Sequence, residues 1–541
     1  MNKNVYIYLF TIFLSIILIG CSENKEKEPP STTETSETEK GAAHVKQESV
    51  LDNARIQAQK EMEQELQKAY KEQAHTLENP FVTLDPYGVT PLSALVMFET
   101  EEPTQISITV TGKDEATDVT HTFDSYATEH EIPVHGLYAN RENTVILDAV
   151  TKDGERFSKE LTIETEKLPD DFLTTEVEKA QTEKMEDGLT FLVPSTRYVY
   201  AVDAKGDVRW YSTLWNSHIF KQLENGNYLY ITKEEGQNQY NELLEMNLLG
   251  KVFRSYLIQL EDYEATNVVH HDVIELPNGN LLATTHDMDS EYIEDKMIEI
   301  DRKTGKTVRA FSFRDILPES FYKNYDGPSA DDGDWFHQNA VWYDDTDDTL
   351  LISSRHQDLV MKMSYPDGKI HWILANHESW PEDYQDYLLD SIGEVKYPGG
   401  PHAMMTLPDF DEKEETSDIL LFDNNIVITR GDEEVAEDYS RAVHYRIDEK
   451  NHTVEEIWSY GEERGTAFFS SIVGDADYLP TTGNRLLTSG YIEVGEDARN
   501  SRIVEVSGEE PSEVISEIVV SGFEKGSHRQ IYRAERLPLY E

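Results

Sequence analysis

One cysteine, Cys21, serves the whole chain of 541 residues, so no disulfide can close within it and no cysteine-built zinc site can form. Basic residues are scarce too: 48 lysines and arginines face 105 aspartates and glutamates, for a formal net charge of -57. A field of that sign repels phosphate backbones and argues against a nucleic-acid partner. Nucleotide signatures are missing. Gly305-Lys306-Thr307 comes nearest to a phosphate loop, but Ile300 stands where its first glycine is needed, and no Gly-x-Gly-x-x-Gly follows a strand. No His-Glu-x-x-His is present, and no Cys- or Ser-x-Pro-x-Arg segment of a formylglycine sulfatase. The residues call for no cofactor and no catalytic metal. The acidic stretch Asp331-Asp332-Gly333-Asp334 lacks the EF-hand pattern and reads as a solvated loop.

Long apolar runs are absent except at the start. Val5 to Gly20 is short for a bilayer span and suits the core of a signal peptide. It ends Leu18-Ile19-Gly20-Cys21, which resembles a bacterial lipoprotein signal covering residues 1–20. That implies an exported chain, anchored at the outer face of the cell membrane by lipid on Cys21; an uncleaved anchor is the alternative. Residues 21–48 are too polar to fold and read as a tether. Over 49–76, Leu51, Ala54, Ala58, Met62, Leu66, Ala69 and Gln73 recur at helical steps, predicting an amphipathic helix that packs on its own chain or on a partner helix.

Period-two alternation takes over in residues 80–167: Ile106, Ile108, Val110, then Val145, Leu147, Ala149, then Leu161 and Ile163. This predicts a small β-sandwich. From 185 to 541 an apolar run following an Asn-Gly-type turn recurs about every 50 residues, as at Leu223, Leu276, Tyr343 and Leu479. Such spacing marks propeller blades. The expected fold is all-β: a six-bladed β-propeller behind a sandwich and a helix, with Gln530-Ile-Tyr-Arg-Ala pairing into the first blade.

Four histidine-bearing segments lie at strand edges of this repeat: His270-His271-Asp272, Asp334-Trp335-Phe336-His337, Ser354-Arg355-His356-Gln357-Asp358 and Gly400-Pro401-His402. His271 and Asp272 are placed just before a strand starting near Ile274. Each segment alone is equally well a structural hydrogen bond or ion pair. Together, imidazoles around a fixed guanidinium suit capture of an anionic group and its transfer through nitrogen.

From about Pro80 onward the chain resembles the bacterial arylsulfate sulfotransferases, which use no nucleotide sulfate donor. The resemblance rests on Asp85-Pro-Tyr-Gly-Val-Thr-Pro-Leu-Ser-Ala-Leu, His270-His-Asp-Val-Ile-Glu-Leu-Pro-Asn-Gly-Asn, Asp334-Trp-Phe-His-Gln-Asn, Ser354-Arg-His-Gln-Asp and Ser440-Arg-Ala-Val-His-Tyr-Arg-Ile-Asp. It implies a propeller with an N-terminal sandwich, often dimeric, and ping-pong transfer from an aryl sulfate donor to a phenol acceptor through a sulfohistidine. The implied nucleophile is His402, supported by His271, His337 and Arg355, with His270 a rival for His271. His271 and His337 would hydrogen-bond the sulfuryl oxygens. Two departures are the missing disulfide and Asn425, where a glycine often follows Phe-Asp-Asn. A ligand-binding propeller without catalysis, and a hydrolase passing the group to water, are the competing readings.

Overall fold

The repeated turns close equivalent hairpins. Gly226, Gly279 and Gly483 take φ values of +77°, +78° and +74°, and each glycine N–H returns to the carbonyl of the leucine opening its turn at 2.7–2.9 Å. Only glycine adopts that backbone without a Cβ penalty. In two neighbouring blades the flanking asparagines clamp one carboxylate. Asn225 and Asn227 donate to Glu245 at 3.1 and 3.0 Å, and Asn278 and Asn280 to Glu299 at 3.0 and 2.7 Å.

The computed structural model describes residues 50–540 apart from 196, 234–239, 258–268, 287–290, 379, 432–437, 496–497 and 525–528. The residues expected to form the signal segment, the lipid attachment at Cys21 and the tether lie outside the described residues. No helix among the described residues is long and apolar enough to cross a membrane.

Six sheets of four or five strands follow one another from Thr174 to Leu537 and make the six blades, antiparallel throughout except for the short edge strand Asp390–Ser391, which runs parallel to Thr453–Tyr460 in the fifth. Their innermost strands, from the first blade to the sixth, are Ile531–Leu537, Phe220–Gln222, Val269–Glu275, Gln338–Asp344, Met404–Thr406 and Asp475–Tyr478. The ring closes twice. The C-terminal strand pairs with Leu189–Pro194 in the first blade, and Thr174–Ala180 pairs with Val514–Ser521 at the outer edge of the last. The first closure matches expectation. The second moves the start of the propeller from 185 back to Thr174, because this mostly exposed Thr-, Glu- and Lys-rich edge strand carries no apolar alternation. His271 and Asp272 likewise lie inside the strand Val269–Glu275, not before it.

The sandwich hangs on one 17-residue strand, Ala94–Val110. Its first half pairs with Phe81–Leu84 and Ala127–Val134, its second with Val119–Thr122 and Glu142–Thr151, so it serves both layers. Ile106, Ile108, Val110, Val145, Leu147 and Ala149 are all buried, as their alternation predicts.

A helix, Ala54–Tyr70, forms within the expected span, but on a different face. Leu51 and Met62 are exposed, and Ile56 is the buried helical residue. Polar anchors to the second blade decide the orientation: Arg55 reaches Glu242 with two bonds of 2.6 and 2.5 Å, and Gln59 donates to Val252 O at 2.8 Å and accepts from its N–H at 2.6 Å. The helix covers the outer strand of that blade, Val252–Leu257, an edge otherwise open to pairing.

Candidate active site

The beginnings of the innermost strands meet at one end of the channel. The His271 ring lies 4.8 Å from that of His337 and 5.1 Å from that of His218, and Tyr532 stacks on His218 at 4.1 Å. Arg355 donates its backbone N–H to His337 O at 3.1 Å and its guanidinium to Ser471 O at 3.3 Å. The Val473 N–H reaches His402 Nε2 at 3.0 Å. The four predicted residues thus come together on the third, fourth and fifth blades, His271, Arg355 and His402 buried and His337 partly so; His402 is 2 % exposed.

His402 stands on a tightly held loop. A Cβ on Gly399 would lie 2.1 Å from Ile426 O, so glycine is needed for this approach. The Asp358 carboxylate accepts the Gly400 N–H at 2.8 Å and those of Thr429, Arg430 and Gly431 at 2.7–2.9 Å. Asn424 Nδ2 donates to Ser470 O at 2.6 Å and Val473 O at 3.0 Å, which turns its Oδ1 towards His402 Nδ1 at 2.5 Å. Nδ1 must therefore carry the proton, and Nε2 the lone pair. Burial, then the charges of Arg355 and His337, hold the His402 pKa well below its usual value, so the ring is neutral.

His337 is the opposite case. Burial alone would lower its pKa, but its Nδ1 sits 2.6 Å from Asp334 and 2.8 Å from Glu294, and the two carboxylates raise it to about 10. Glu294 is in turn held well below the carboxylate range by His337 and the neighbouring histidines, against its burial. At neutral pH His337 is a fixed imidazolium. Asp334 is buried for this purpose; only Asp331 and Asp332 of the expected solvated loop are exposed.

His271 departs from expectation. Its Nε2 meets Glu294 at 3.2 Å and its Nδ1 accepts from Tyr532 Oη at 3.2 Å, so neither nitrogen is left to bind a sulfuryl oxygen. His270 packs behind it with ring centroids 4.9 Å apart, its Nε2 unpartnered among the described residues. His356 is lowered to about 2 by burial and by His337 and Arg355, and is a neutral partner of Asp334 O at 2.7 Å. Two trios offer ligand atoms within 4.8 Å of one another, His270-His271-Glu294 and Asp334-His337-His356. Hydrogen bonds between His271 and Glu294 and between His337 and Asp334 already join them.

Glu294, Tyr532 and Val473 escape a sequence reading because no motif flags them, and Asn424 sits in the Phe-Asp-Asn segment with nothing to mark its role. The backbone marks part of the site: Glu294, His337, Asp358, Asn425 and Val473 all take φ between +49° and +59°. Asparagine tolerates that region, so Asn425 makes the turn expected of glycine; for β-branched Val473 it is costly.

The family described as arylsulfotransferase (ASST) matches residues 174–533, and the arylsulfotransferase Ig-like domain matches 81–166. Arylsulfate sulfotransferase AssT of Lelliottia amnigena is 25% identical over 523 residues, covering 77% of this chain and 85% of that protein. The protein of that name from Escherichia coli O6:H1 is 24% identical over 507 residues, covering 73% and 82%. By its fold and by the match across the whole propeller, this chain belongs to the arylsulfotransferase family.

Proposed function

We propose that this protein moves a sulfuryl group from an aryl sulfate ester to a phenol in two displacements, through a sulfohistidine at His402 Nε2. The observation that carries this is the fixed tautomer of His402: neutral, with the proton on Nδ1 against Asn424 and the lone pair on Nε2. That lone pair attacks sulfur, the S–O bond to the aryl group breaks, and the phenolate leaves. The entering sulfur displaces the Val473 N–H that holds Nε2 here. His337, protonated with its Nδ1 tied to Asp334 and Glu294, donates the Nε2 proton to the leaving oxygen. The loose transition state spreads charge over three sulfuryl oxygens, which the Arg355 guanidinium stabilises. An acceptor phenol then returns a proton to His337 as its oxygen attacks sulfur and the N–S bond breaks. His271 acts through Glu294, as a positioning residue.

Single-turnover reaction with a sulfur-labelled aryl sulfate, then peptide mapping, tests this. The label belongs on the peptide containing His402, and His402→Ala should take up none while unfolding at the wild-type temperature. Label on another peptide, or acceptor-dependent turnover by the variant, overturns the reading. We further propose export and anchoring through lipid on Cys21; Cys21→Ser should move the protein from the membrane to the soluble fraction.

A further inference from the structure

Beyond the histidines, the channel opens into a cavity of about 640 Å³ lined by later residues of the same innermost strands. Three carboxylates face it: Asp475 and Asp477 from the sixth blade and Glu535 from the first. One oxygen of each lies within 4.8 Å of the others. Asp475 is 5 % exposed, and the Oδ2 atoms of Asp475 and Asp477 are buried with no hydrogen-bond partner among the described residues. The neighbouring cations act on the trio from a distance but pair with Asp272. Lys221 lies 2.7 Å and Arg533 3.4 Å from Asp272 Oδ1, and no lysine or arginine among the described residues is within ion-pair distance of the trio.

We propose that Asp475, Asp477 and Glu535 form a binding site for a hard divalent cation, calcium rather than magnesium, which ties the last blade to the first at the seam of the ring. Buried carboxylate oxygens without donors are a standing cost that a cation or protons must offset. An all-oxygen set selects calcium- or magnesium-class ions. Oxygens within 4.8 Å of one another fit around one such ion, and calcium accepts an irregular cage of carboxylates where magnesium demands near-octahedral geometry and gives up its waters reluctantly. The pKa directions agree: burial raises Asp475 to about 6, burial and then Asp475 raise Glu535 to about 7, and burial with Asp475 and Glu535 raises Asp477 further, all against the charges of Arg533 and Lys221.

The site is tested on the full chain by thermal unfolding after chelation, with calcium or magnesium chloride added back. Calcium should give a saturable rise of about 2–5 °C, in line with mass-action stabilisation, and magnesium a smaller one. Asp477→Asn and Glu535→Gln should each shift the calcium midpoint at least tenfold upward. Terbium emission gives a second readout that does not need a melting transition, because Trp342 and Tyr478 line the cavity and can sensitise it. Calcium should quench that emission in the wild type, and Glu535→Gln should lack it. No saturable rise with calcium overturns the proposal. So does a wild-type calcium response in both variants, which would assign the effect to diffuse binding on a chain of charge -57.

Discussion

Replacing Glu294 by glutamine isolates the proton-transfer role assigned to His337. The rise of that imidazole from 6.5 to about 10 corresponds to roughly 5 kcal/mol favouring the protonated ring, at about 1.36 kcal/mol per unit. Two carboxylates share it, at 2.6 and 2.8 Å. Glutamine keeps the shape and removes one charge, which withdraws about one to three units and leaves His337 titrating near pH 7–9. The acid form acts, so activity is present below the folded pKa and lost as pH rises through it. Profiles of kcat/KM should therefore fall near pH 10 in the wild type and one to three units lower in Glu294→Gln. Above pH 7 the variant's loss should be larger with phenyl sulfate than with p-nitrophenyl sulfate, since a more basic leaving oxygen needs its proton more. Stability follows the same sign. The contribution of the pair is complete below the unfolded histidine value of about 6.5 and lost as pH rises towards 10, while Glu294, held low, loses its share as pH falls through its own range. A basic limb that stays near pH 10, or equal losses with both donors, refutes the assignment.

Arg355→Lys should lower kcat/KM by roughly 10²–10³, because a point charge replaces a planar fork where charge develops on several oxygens; parallel initial-rate and melting measurements check that the fold survives. Asn424→Ala frees His402 to adopt the other tautomer, and single-turnover burst rates should drop by about 10–100-fold with donor KM little changed. With a net charge of -57 and an anionic donor, kcat/KM should rise modestly from low to moderate ionic strength; a steep fall would mean that the local cations dominate the approach.

The fold was legible wherever burial and turn chemistry agreed. Asn-Gly turns mark the blades because the hairpins at Leu223, Leu276 and Leu479 put a glycine at positive φ (Asp348 serves at the Tyr343 turn), and period-two alternation marks the sandwich because its strands bury alternate residues. The pattern misled where polar contacts replace apolar burial. Of the predicted stripe only Leu66 turns inward, beside Ile56 and Gln59, while Ala54, Ala58, Met62 and Ala69 stay exposed, because Arg55 and Gln59 bind Glu242 and Val252. Thr174–Ala180 was invisible for a related reason: it is an exposed outer strand recruited by a neighbour some 340 residues later, as Val519 pairs with Glu176.

The candidate site was legible in its histidines and arginine but not in what gives each its charge. The residues alone leave His271, His337 and His402 as like imidazoles, and the resemblance singles out His402 without saying what charge each carries; environment decides that. His402 is neutral because burial, then the charges of Arg355 and His337, disfavour a second proton, and Asn424 only fixes which nitrogen carries the first; His337 is cationic because Asp334 and Glu294 close on one nitrogen against its burial. Those partners arrive through backbone that sequence rules disfavour. Glu294, His337, Asp358 and Val473 sit at positive φ, each at a cost of order 1–3 kcal/mol when not glycine. A rigid ring of blades tolerates that expense, since neighbouring strands over-determine the strained residues. Val473 makes the point most directly: a β-branched residue is held in the left-handed region, and the result is an N–H aimed at the lone pair of His402. Val473→Gly should relieve the strain but loosen that aim, so the fold need not melt lower by the full value of a lost valine while the burst rate of sulfuryl transfer changes. A variant indistinguishable from wild type in burst rate would show that the contact has no part in poising the nucleophile.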